Sequence, residues 1–150
     1  MRKISKGVLA IFLVLSAWVV KAQNAEEIAA KSPIEQLFEG MKKSDSAMVR
    51  QAFAPSGRLE TVLKDKNGVV SVKNTGLSQF FANIGSQPAG ALDERLMGME
   101  LKIDGEIATA WTPYEFWFKG QFIHRGVNAF QLVKLAEGWK IWSIIDTRRK

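Results

Sequence analysis

The sequence predicts an α+β fold in which three N-terminal helices pack on a curved antiparallel sheet. In the first part of the chain, apolar residues recur at intervals of three and four, which is typical of amphipathic helices. Roughly the last 60 residues are long apolar segments separated by turn signals, which favours an antiparallel meander. Strands of about ten residues are long, so we expect the sheet to bend strongly. The chain contains no repeat and no linker, which indicates a single domain.

The beginning of the chain is predicted to be a signal peptide formed by residues 1–22. A short cationic start is followed by a run of 14 residues, ending at Val20, that a single serine interrupts. This run is shorter than the about 20 apolar residues that a membrane span needs. Val20 and Ala22 supply the small residues that signal peptidase requires. We therefore expect an exported bacterial protein, periplasmic or secreted, with a mature domain of 23–150 and no stable membrane insertion. An uncleaved membrane anchor is the alternative.

The net charge of +6 does not indicate a nucleic-acid-binding protein, because much of it lies in the predicted signal peptide. Four of the 21 basic residues precede Gln23, whereas none of the 15 acidic residues does. The remaining chain has a net charge of only +2, which gives no long-range attraction to phosphate backbones. It also has no Cys, one His and no carboxylate-rich metal motif. The sequence therefore predicts that neither a metal nor another cofactor is required.

The first helix is predicted to start at Ser32. Ser32 can cap a helix, Pro33 suits the first helical position, and Glu35 completes a capping box. The apolar face that follows has helical spacing and ends before Lys42-Lys43; it consists of Ile34, Leu37, Phe38 and Met41.

Two shorter helices are predicted after the first. Ser44-Asp45-Ser46 supplies capping side chains for the second helix, and Pro55-Ser56-Gly57 ends it. Its expected apolar side consists of Ala47, Met48, Ala52 and Phe53. The third helix is predicted from another apolar stripe, which the segment 85–90 ends; the stripe consists of Leu77, Phe80, Phe81 and Ile84.

Turn signals place the strands. Asn67-Gly68 predicts a hairpin between the segments 58–63 and 69–73. In the C-terminal sheet, three further turns are predicted at Asp104-Gly105, Lys119-Gly120 and Ala136-Glu137-Gly138.

The register of the last two strands follows from the type of their turn. If Gly138 takes the left-handed conformation in a three-residue turn, Leu135 lies opposite Trp139. The same register pairs Gly126 with Arg148, Asn128 with Asp146, and Phe130 with Ile144. Because side chains alternate along a strand, one face then has polar groups at one end and aromatic groups at the other. Apolar walls with a few convergent polar groups predict a small-molecule cavity.

The preceding strand has two alternative registers. A two-residue turn at 119–120 brings Glu115 opposite His124, a carboxylate–imidazole pair suited to proton transfer. A slip of one residue instead brings Tyr114 or Phe116 beside His124. The sequence leaves both arrangements open.

These registers define the candidate site residues. The candidate catalytic residues are His124, Asp146 and Tyr114. The candidate ligand-binding residues are Trp111, Glu115, Phe116, Asn128, Phe130 and Trp142. Structural roles are the alternative for each set: His124 packed in the sheet, Asp146 paired with Arg148 or Arg125, and the tryptophans in the core. The segment 148–150 is then a solvated tail.

Four segments, read with the order of the elements, resemble the nuclear transport factor 2-like superfamily. They are WTPYEF at 111–116, HRGVNAFQL at 124–132, GWKI at 138–141 and DTRR at 146–149. More narrowly, they are similar to its putative lumazine-binding, SnoaL-like branch, which includes exported bacterial proteins. The resemblance implies a cone-shaped fold over the mature chain, a cavity between sheet and helices, and homodimers formed through the sheet.

Three functions are consistent with these residues. The first is an exported protein that binds a small, largely apolar ligand in the cone. The second is a metal-independent lyase, isomerase or cyclase, because the superfamily includes enzymes that resemble ketosteroid isomerase, scytalone dehydratase and SnoaL-like cyclases. There His124 would transfer the proton, Asp146 or Glu115 would orient it, and Tyr114 would polarise a carbonyl. The third is an interaction module that dimerises through its open sheet face.

Overall fold

The computed structural model describes the backbone of residues 6–150 and the side chains from Gln23 onward. The predicted signal peptide, residues 1–22, therefore lies outside the residues whose side chains are described. The described chain forms ten elements in this order: α1 (Lys6–Lys43), α2 (Ser46–Ala52), β1 (Phe53–Lys64), β2 (Val70–Asn74), α3 (Leu77–Gly85), β3 (Leu92–Leu96), β4 (Glu100–Asp104), β5 (Ile107–Phe118), β6 (Gln121–Leu135) and β7 (Gly138–Arg149).

The strands form one sheet in the order β2-β1-β7-β6-β5-β3, and β4 also pairs with β5. Every neighbouring pair is antiparallel except β1 and β7, which run parallel. All three helices share one apolar core with the inner face of the sheet. The predicted α+β fold, with three helices on an antiparallel-dominated sheet, is confirmed. Within the described residues, no helix is both long enough and apolar enough to cross a bilayer.

The predicted start of the first helix at Ser32 is wrong, because α1 continues through this segment and contains Pro33. Proline removes one helical hydrogen bond, and the carbonyl that loses its donor belongs to Ala29, an exposed residue that water can reach. Ala30 and Ile34, on either side of the proline, are fully buried. Packing of the helix on the sheet therefore outweighs the local preference for a helix start.

The second helix is capped as predicted, since Asp45 accepts a hydrogen bond from the Met48 amide at 2.9 Å. Its buried residues are Val49 and Ala52, whereas Ala47 is exposed. The segment Pro55-Ser56-Gly57 is not a terminator, because β1 already begins at Phe53. The hairpin around Asn67-Gly68 and the third helix are confirmed.

The first strand of the C-terminal sheet is interrupted, so that β3 and β4 are each only five residues long. Both pair with β5, but the register changes by one residue between the pairs Leu96/Tyr114 and Glu100/Trp111. Pro113 lies in β5 at this point and has no N–H to donate, although its carbonyl accepts from the Met97 amide at 2.8 Å. The missing donor accounts for the break.

A β-bulge corrects the predicted register of the last hairpin. Leu135 lies opposite Gly138 and not opposite Trp139, so the turn prediction is wrong by one residue. Trp142 is an unpaired extra residue in β7, and beyond it the strands regain the predicted alignment. The three predicted pairs are therefore confirmed: Gly126 with Arg148, Asn128 with Asp146, and Phe130 with Ile144.

A second bulge decides between the two registers of β5 and β6. The turn brings Phe118 opposite Gln121, but Ile123 is an extra residue, so Phe116 lies opposite His124. Glu115 is opposite Arg125 instead. The slipped register is therefore the correct one.

Gly126 allows β5, β6 and β7 to approach closely at the polar end of the sheet. A Cβ at this position would lie 1.8 Å from the carbonyl oxygen of Thr147 and 2.9 Å from the Tyr114 ring.

We expect Gly126→Ala to lower the free energy of unfolding by more than about 2 kcal/mol, because a backbone strand would have to move. Urea unfolding measures this loss. Gly98→Ala is the control, since its Cβ would meet no atom within 4 Å; equal effects of the two variants would contradict the prediction.

Candidate functional site

A cavity of about 340 Å³ lies between the inner face of the sheet and the helices. Most of its wall is apolar. The sheet, including its edge strand β3, contributes five leucine or phenylalanine side chains: Leu59, Leu92, Phe116, Phe118 and Phe130. The helices add Leu37, Phe38, Met41, Phe80 and Ile84. Phe38 packs edge-on against Phe130, with ring centroids 6.1 Å apart. These walls favour an apolar ligand.

The inner face of the sheet changes from apolar to polar along the strands. At the apolar end, Phe130 pairs with Ile144, and Ile144 pairs with Leu59. In the next inward-facing row, Asn128 pairs with Asp146, which lies opposite Thr61 of the parallel strand β1. Two further rows contain Leu96, Tyr114, Gly126 and Arg148, and then Glu94, Phe116 and His124. The polar side chains therefore gather in three adjacent rows, which we call the polar end of the cavity, and Leu92 and Phe118 form a short apolar row beyond them.

Asp146 is the centre of a hydrogen-bonded network at this end. Only 5% of its surface is exposed. Its Oδ1 accepts from the Thr61 hydroxyl at 2.5 Å, and its Oδ2 accepts from Nε of Arg148 at 2.9 Å. Nη2 of Arg148 also donates to the Thr61 hydroxyl, at 3.2 Å. The buried carboxylate is thus matched by a guanidinium and a hydroxyl.

Tyr114 completes the network from β5. Its hydroxyl lies 3.1 Å from Oδ2 of Asp146 and 3.1 Å from the carbonyl oxygen of Thr147, and it can donate its proton to either. Burial raises the pKa of Tyr114, and the negative charges of Asp146 and Glu94 raise it further. The phenol is therefore a hydrogen-bond donor and not a base at neutral pH.

Glu94 reaches the polar end from β3. Its Oε1 accepts from the Asn128 side-chain amide at 2.8 Å. Burial raises the pKa of Glu94 to about 7, although the hydrogen bond from Asn128 opposes this effect. Near neutral pH, Glu94 can therefore hold or release a proton.

His124 lies beside Phe116, with ring centroids 5.2 Å apart, and meets the Tyr114 ring edge-on at 5.8 Å. Burial lowers the pKa of His124, and the positive charge of Arg148 lowers it further. The imidazole is therefore mainly neutral at pH 7, with one nitrogen able to donate and the other able to accept.

The structure brings six of the nine predicted site residues to this cavity: Tyr114, Phe116, His124, Asn128, Phe130 and Asp146. The other three lie outside its lining. Trp111 is on the outer face of the sheet and 53% exposed, and Trp142 is the bulged residue of β7. Glu115 faces outward as well and accepts from Nε1 of Trp117 at 3.3 Å. Alternation along β5 places Trp111 and Glu115 on the outer face, and the bulge in β7 leaves Trp142 outside the cavity lining.

Three residues of the polar end were not in the predicted site. Arg148 is on the predicted face, but its position near the C-terminus indicated a solvated tail. Thr61 joins the site only through the parallel pairing of β1 with β7, for which no turn signal exists. Glu94 lies in the short strand β3, where the sequence LDERL gives no signal that separates it from a surface carboxylate.

No metal centre is formed by the described residues, since no three His, Asp or Glu side chains among them are close enough to hold an ion. The groups that the polar end presents are hydrogen-bond donors and acceptors, of which Glu94 titrates near neutral pH.

Three helices on one sheet, with a cavity between them, form a fold that solved nuclear transport factor 2-like proteins also have. The chain belongs to the family described as "putative lumazine-binding", which it matches over residues 25–144. No curated protein is similar enough to match the chain.

Solved structures show the same fold at low sequence identity. A nuclear transport factor 2-like protein of unknown function from Shewanella baltica is 19% identical, with a TM-score of 0.64 over 84% of this chain and 95% of that one. One with a cystatin-like fold from Novosphingobium aromaticivorans is 15% identical, with a TM-score of 0.66 over 98% and 92%. A putative ketosteroid isomerase from Shewanella frigidimarina is 18% identical, with a TM-score of 0.59 over 79% and 94%.

The raised pKa of Glu94 makes stability depend on pH. Its ordinary pKa is 4.5 and its folded-state pKa is about 7, so the folded chain binds more protons between these values. Stability from this group therefore falls as the pH rises from 4.5 to 7. Glu94→Gln cannot ionise, so we expect it to lack this loss. The unfolding free energy of the variant minus that of wild type should be about 1–3 kcal/mol larger at pH 8 than at pH 4.

Urea unfolding of both proteins at these two pH values measures the difference. Glu115→Gln, on the outer face of the sheet, is the matched control and should not reproduce the gain. A Glu94→Gln effect that is the same at both pH values would contradict the assignment.

Proposed function

We propose that this protein is an exported binding protein that holds one small, largely apolar molecule in the cavity of its cone. The observation that carries this proposal is the composition of the cavity, in which aromatic and aliphatic walls surround a single cluster of polar groups. The apolar walls supply affinity and the polar end supplies orientation.

The size of the cavity sets the scale of affinity. A ligand that loses about 200 Å² of apolar accessible surface gains about 5 kcal/mol from the hydrophobic effect. The loss of its translational and rotational freedom offsets part of this gain, so a few hydrogen bonds at the polar end determine whether binding is strong. Such hydrogen bonds would come from groups like His124 and Glu94.

Export is supported by the cationic start, the short apolar run and the small residues before Gln23. Removal of residues 1–22 is compatible with the fold. Glu26, just beyond the cleavage position, accepts from Nε1 of Trp139 at 2.8 Å and from Nζ of Lys134 at 2.7 Å. The start of the mature helix would thus remain attached to the sheet.

An acid–base enzyme is the second candidate, favoured by the two titratable groups, Glu94 and His124, in one apolar cavity. Such an enzyme would move a proton on a bound ligand, with Tyr114 and Asp146 as the polarising pair. Catalytic turnover of a ligand, as opposed to stoichiometric binding, distinguishes this candidate from the first.

Filling the cavity should abolish binding. We expect N-phenylnaphthylamine, a neutral dye whose emission rises in apolar surroundings, to bind with a stoichiometry of one. Leu59→Trp replaces an aliphatic side chain of the cavity wall with a larger indole ring. It should weaken dye binding at least tenfold, as measured by fluorescence titration. His124→Ala should also weaken it, while changing the urea midpoint little, because His124 borders open space and leaves little new void.

Leu135→Trp is the matched control for Leu59→Trp, since Leu135 is 37% exposed at the end of β6. It should bind the dye as wild type does. Equal dye binding by wild type and Leu59→Trp, with both folded by circular dichroism, would exclude the cavity as the site. A large drop in the His124→Ala midpoint would make His124 a structural residue.

We also propose that the outer face of the sheet forms a homodimer. Two parallel rows of side chains cross this face. One row has acids at its ends and apolar residues between them: Glu60, Ile145, Ala129, Trp111 and Glu100. The adjacent row has bases at its ends: Arg58, Ser143, Gln131, Thr109 and Lys102. The centre of the face therefore has an apolar row beside a row of hydroxyl and amide side chains, and a charged rim around such a centre is typical of an interface.

The charges favour one direction of the two-fold axis. With the axis perpendicular to the strands and between the rows, Glu60 faces the partner's Arg58, and Glu100 faces the partner's Lys102. With the axis parallel to the strands, Glu60 would face the partner's Glu100, and like charges would repel. The first arrangement is therefore the one that we propose, with Trp111 buried near its centre.

A charge exchange tests this arrangement. We expect Arg58→Glu to raise the dissociation constant of the dimer at least fivefold. The new acid of each protomer then faces the partner's Glu60, so the two-fold axis creates two repulsive pairs. Adding Glu60→Arg should restore the dimer, since the exchanged charges again face their opposites. Sedimentation equilibrium measures both constants, and Lys66→Glu in the β1–β2 turn is the control. A monomeric wild type, or a double variant weaker than the single one, would contradict the proposal.

A further inference from the structure

The charged groups at the polar end of the cavity are already satisfied by one another. Both oxygens of Asp146 accept hydrogen bonds, from Thr61 on one side and from Arg148 on the other. Two of the three nitrogens of the Arg148 guanidinium are used within this network. A ligand carboxylate would therefore meet a cation whose charge Asp146 already offsets, and it would lie close to the negative charges of Asp146 and Glu94.

Two polar groups at the same end remain available. His124 lines the cavity, and its ring is held by aromatic contacts with Phe116 and Tyr114, not by a hydrogen bond from the described residues. Glu94 accepts one side-chain hydrogen bond within the described chain, at Oε1, which leaves Oε2 for another partner. Both groups therefore offer hydrogen-bonding capacity to whatever occupies the cavity.

These two groups are held at a fixed spacing by the sheet. Glu94 lies opposite Phe116, and Phe116 lies opposite His124, so the three residues form one row across β3, β5 and β6. Adjacent strands are about 4.8 Å apart, which separates the backbones of Glu94 and His124 by about 10 Å. The Phe116 ring lies between them and also lines the cavity. A flat ring can stack at Phe116 while a polar substituent reaches one of its neighbours.

On these grounds we propose that the cavity selects an uncharged aromatic alcohol, whose hydroxyl hydrogen-bonds with His124 while its ring lies among the phenylalanines. A hydroxyl suits His124 because it donates and accepts at once, as the neutral imidazole does. A hydrocarbon would leave the imidazole without a partner, which costs binding free energy. A carboxylate would add a third negative charge. This inference rests on the proposed binding function and narrows it to a ligand class.

Three probes on one ring system test the selection: naphthalene, naphthol and naphthoate. We expect naphthol to bind the mature protein at pH 8 at least tenfold more tightly than either of the others, as measured by displacement of N-phenylnaphthylamine. His124→Phe keeps an aromatic ring beside Phe116 but removes both ring nitrogens. This variant should bind naphthol and naphthalene with similar affinity.

Glu94→Gln gives an independent result. It removes one negative charge from the polar end, so naphthoate should bind several-fold more tightly than to wild type, whereas naphthalene should be unaffected. Glu115→Gln, outside the cavity, is the matched control and should change none of the three affinities.

The outcomes separate this inference from the proposed function. Equal affinity of wild type for all three probes, or a preference for naphthoate, would overturn the ligand class while leaving a binding cavity. Naphthol selectivity that survives His124→Phe would also overturn it. A failure of every probe and of the dye to bind would overturn both the ligand class and the binding function.

Discussion

The polar end of the molecule depends on one buried carboxylate and the partners that neutralise it. Asp146 lies in β7, and it is held by Thr61 from β1 and by Arg148 from its own strand, while Tyr114 reaches it from β5. A carboxylate this deeply buried would be strongly destabilising without such partners. The network therefore fixes the relative positions of β1, β5 and β7. Gly126, in β6, has no side chain, which lets β6 lie close to Tyr114 and to the backbone of Thr147. With its own charge satisfied, Asp146 shapes the cavity more than it attracts a ligand.

Two single-residue bulges determine which side chains reach the cavity. Ile123 and Trp142 are each unpaired, and each shifts its strand by one position against its neighbour. Because side chains alternate along a strand, a shift of one residue exchanges the two faces of everything beyond it. The bulges therefore bring Phe116 beside His124 and leave Glu115 and Trp142 outside. The same sheet thus has an inner face that lines the cavity and an outer face whose two rows of side chains end in charged residues.

The mixed apolar and polar lining of the cavity relates the fold to the proposed binding function. The row formed by Leu59, Ile144 and Phe130 supplies apolar surface. The next rows bring a hydroxyl and a carboxylate, then a phenol, and then the imidazole of His124. The Tyr114 phenol and the His124 imidazole are mainly neutral near pH 7. The charges of Arg148 and Asp146 offset each other in their salt bridge. An environment of this kind favours molecules that are uncharged but not wholly apolar.

The sequence by itself determined the class of fold, the third helix, the hairpins and the polar face that contains His124, Asn128 and Asp146. These features follow from local signals: helical spacing, turn residues and strand alternation, each of which acts over a few positions. The tertiary structure decided the continuation of α1 through Pro33, the bulges at Ile123 and Trp142, and the recruitment of Thr61 and Glu94 to the site. Those features depend on packing between segments far apart in the chain, as in the parallel pairing of β1 with β7. No local pattern records such pairing, because its free energy comes from residues that only the fold brings together.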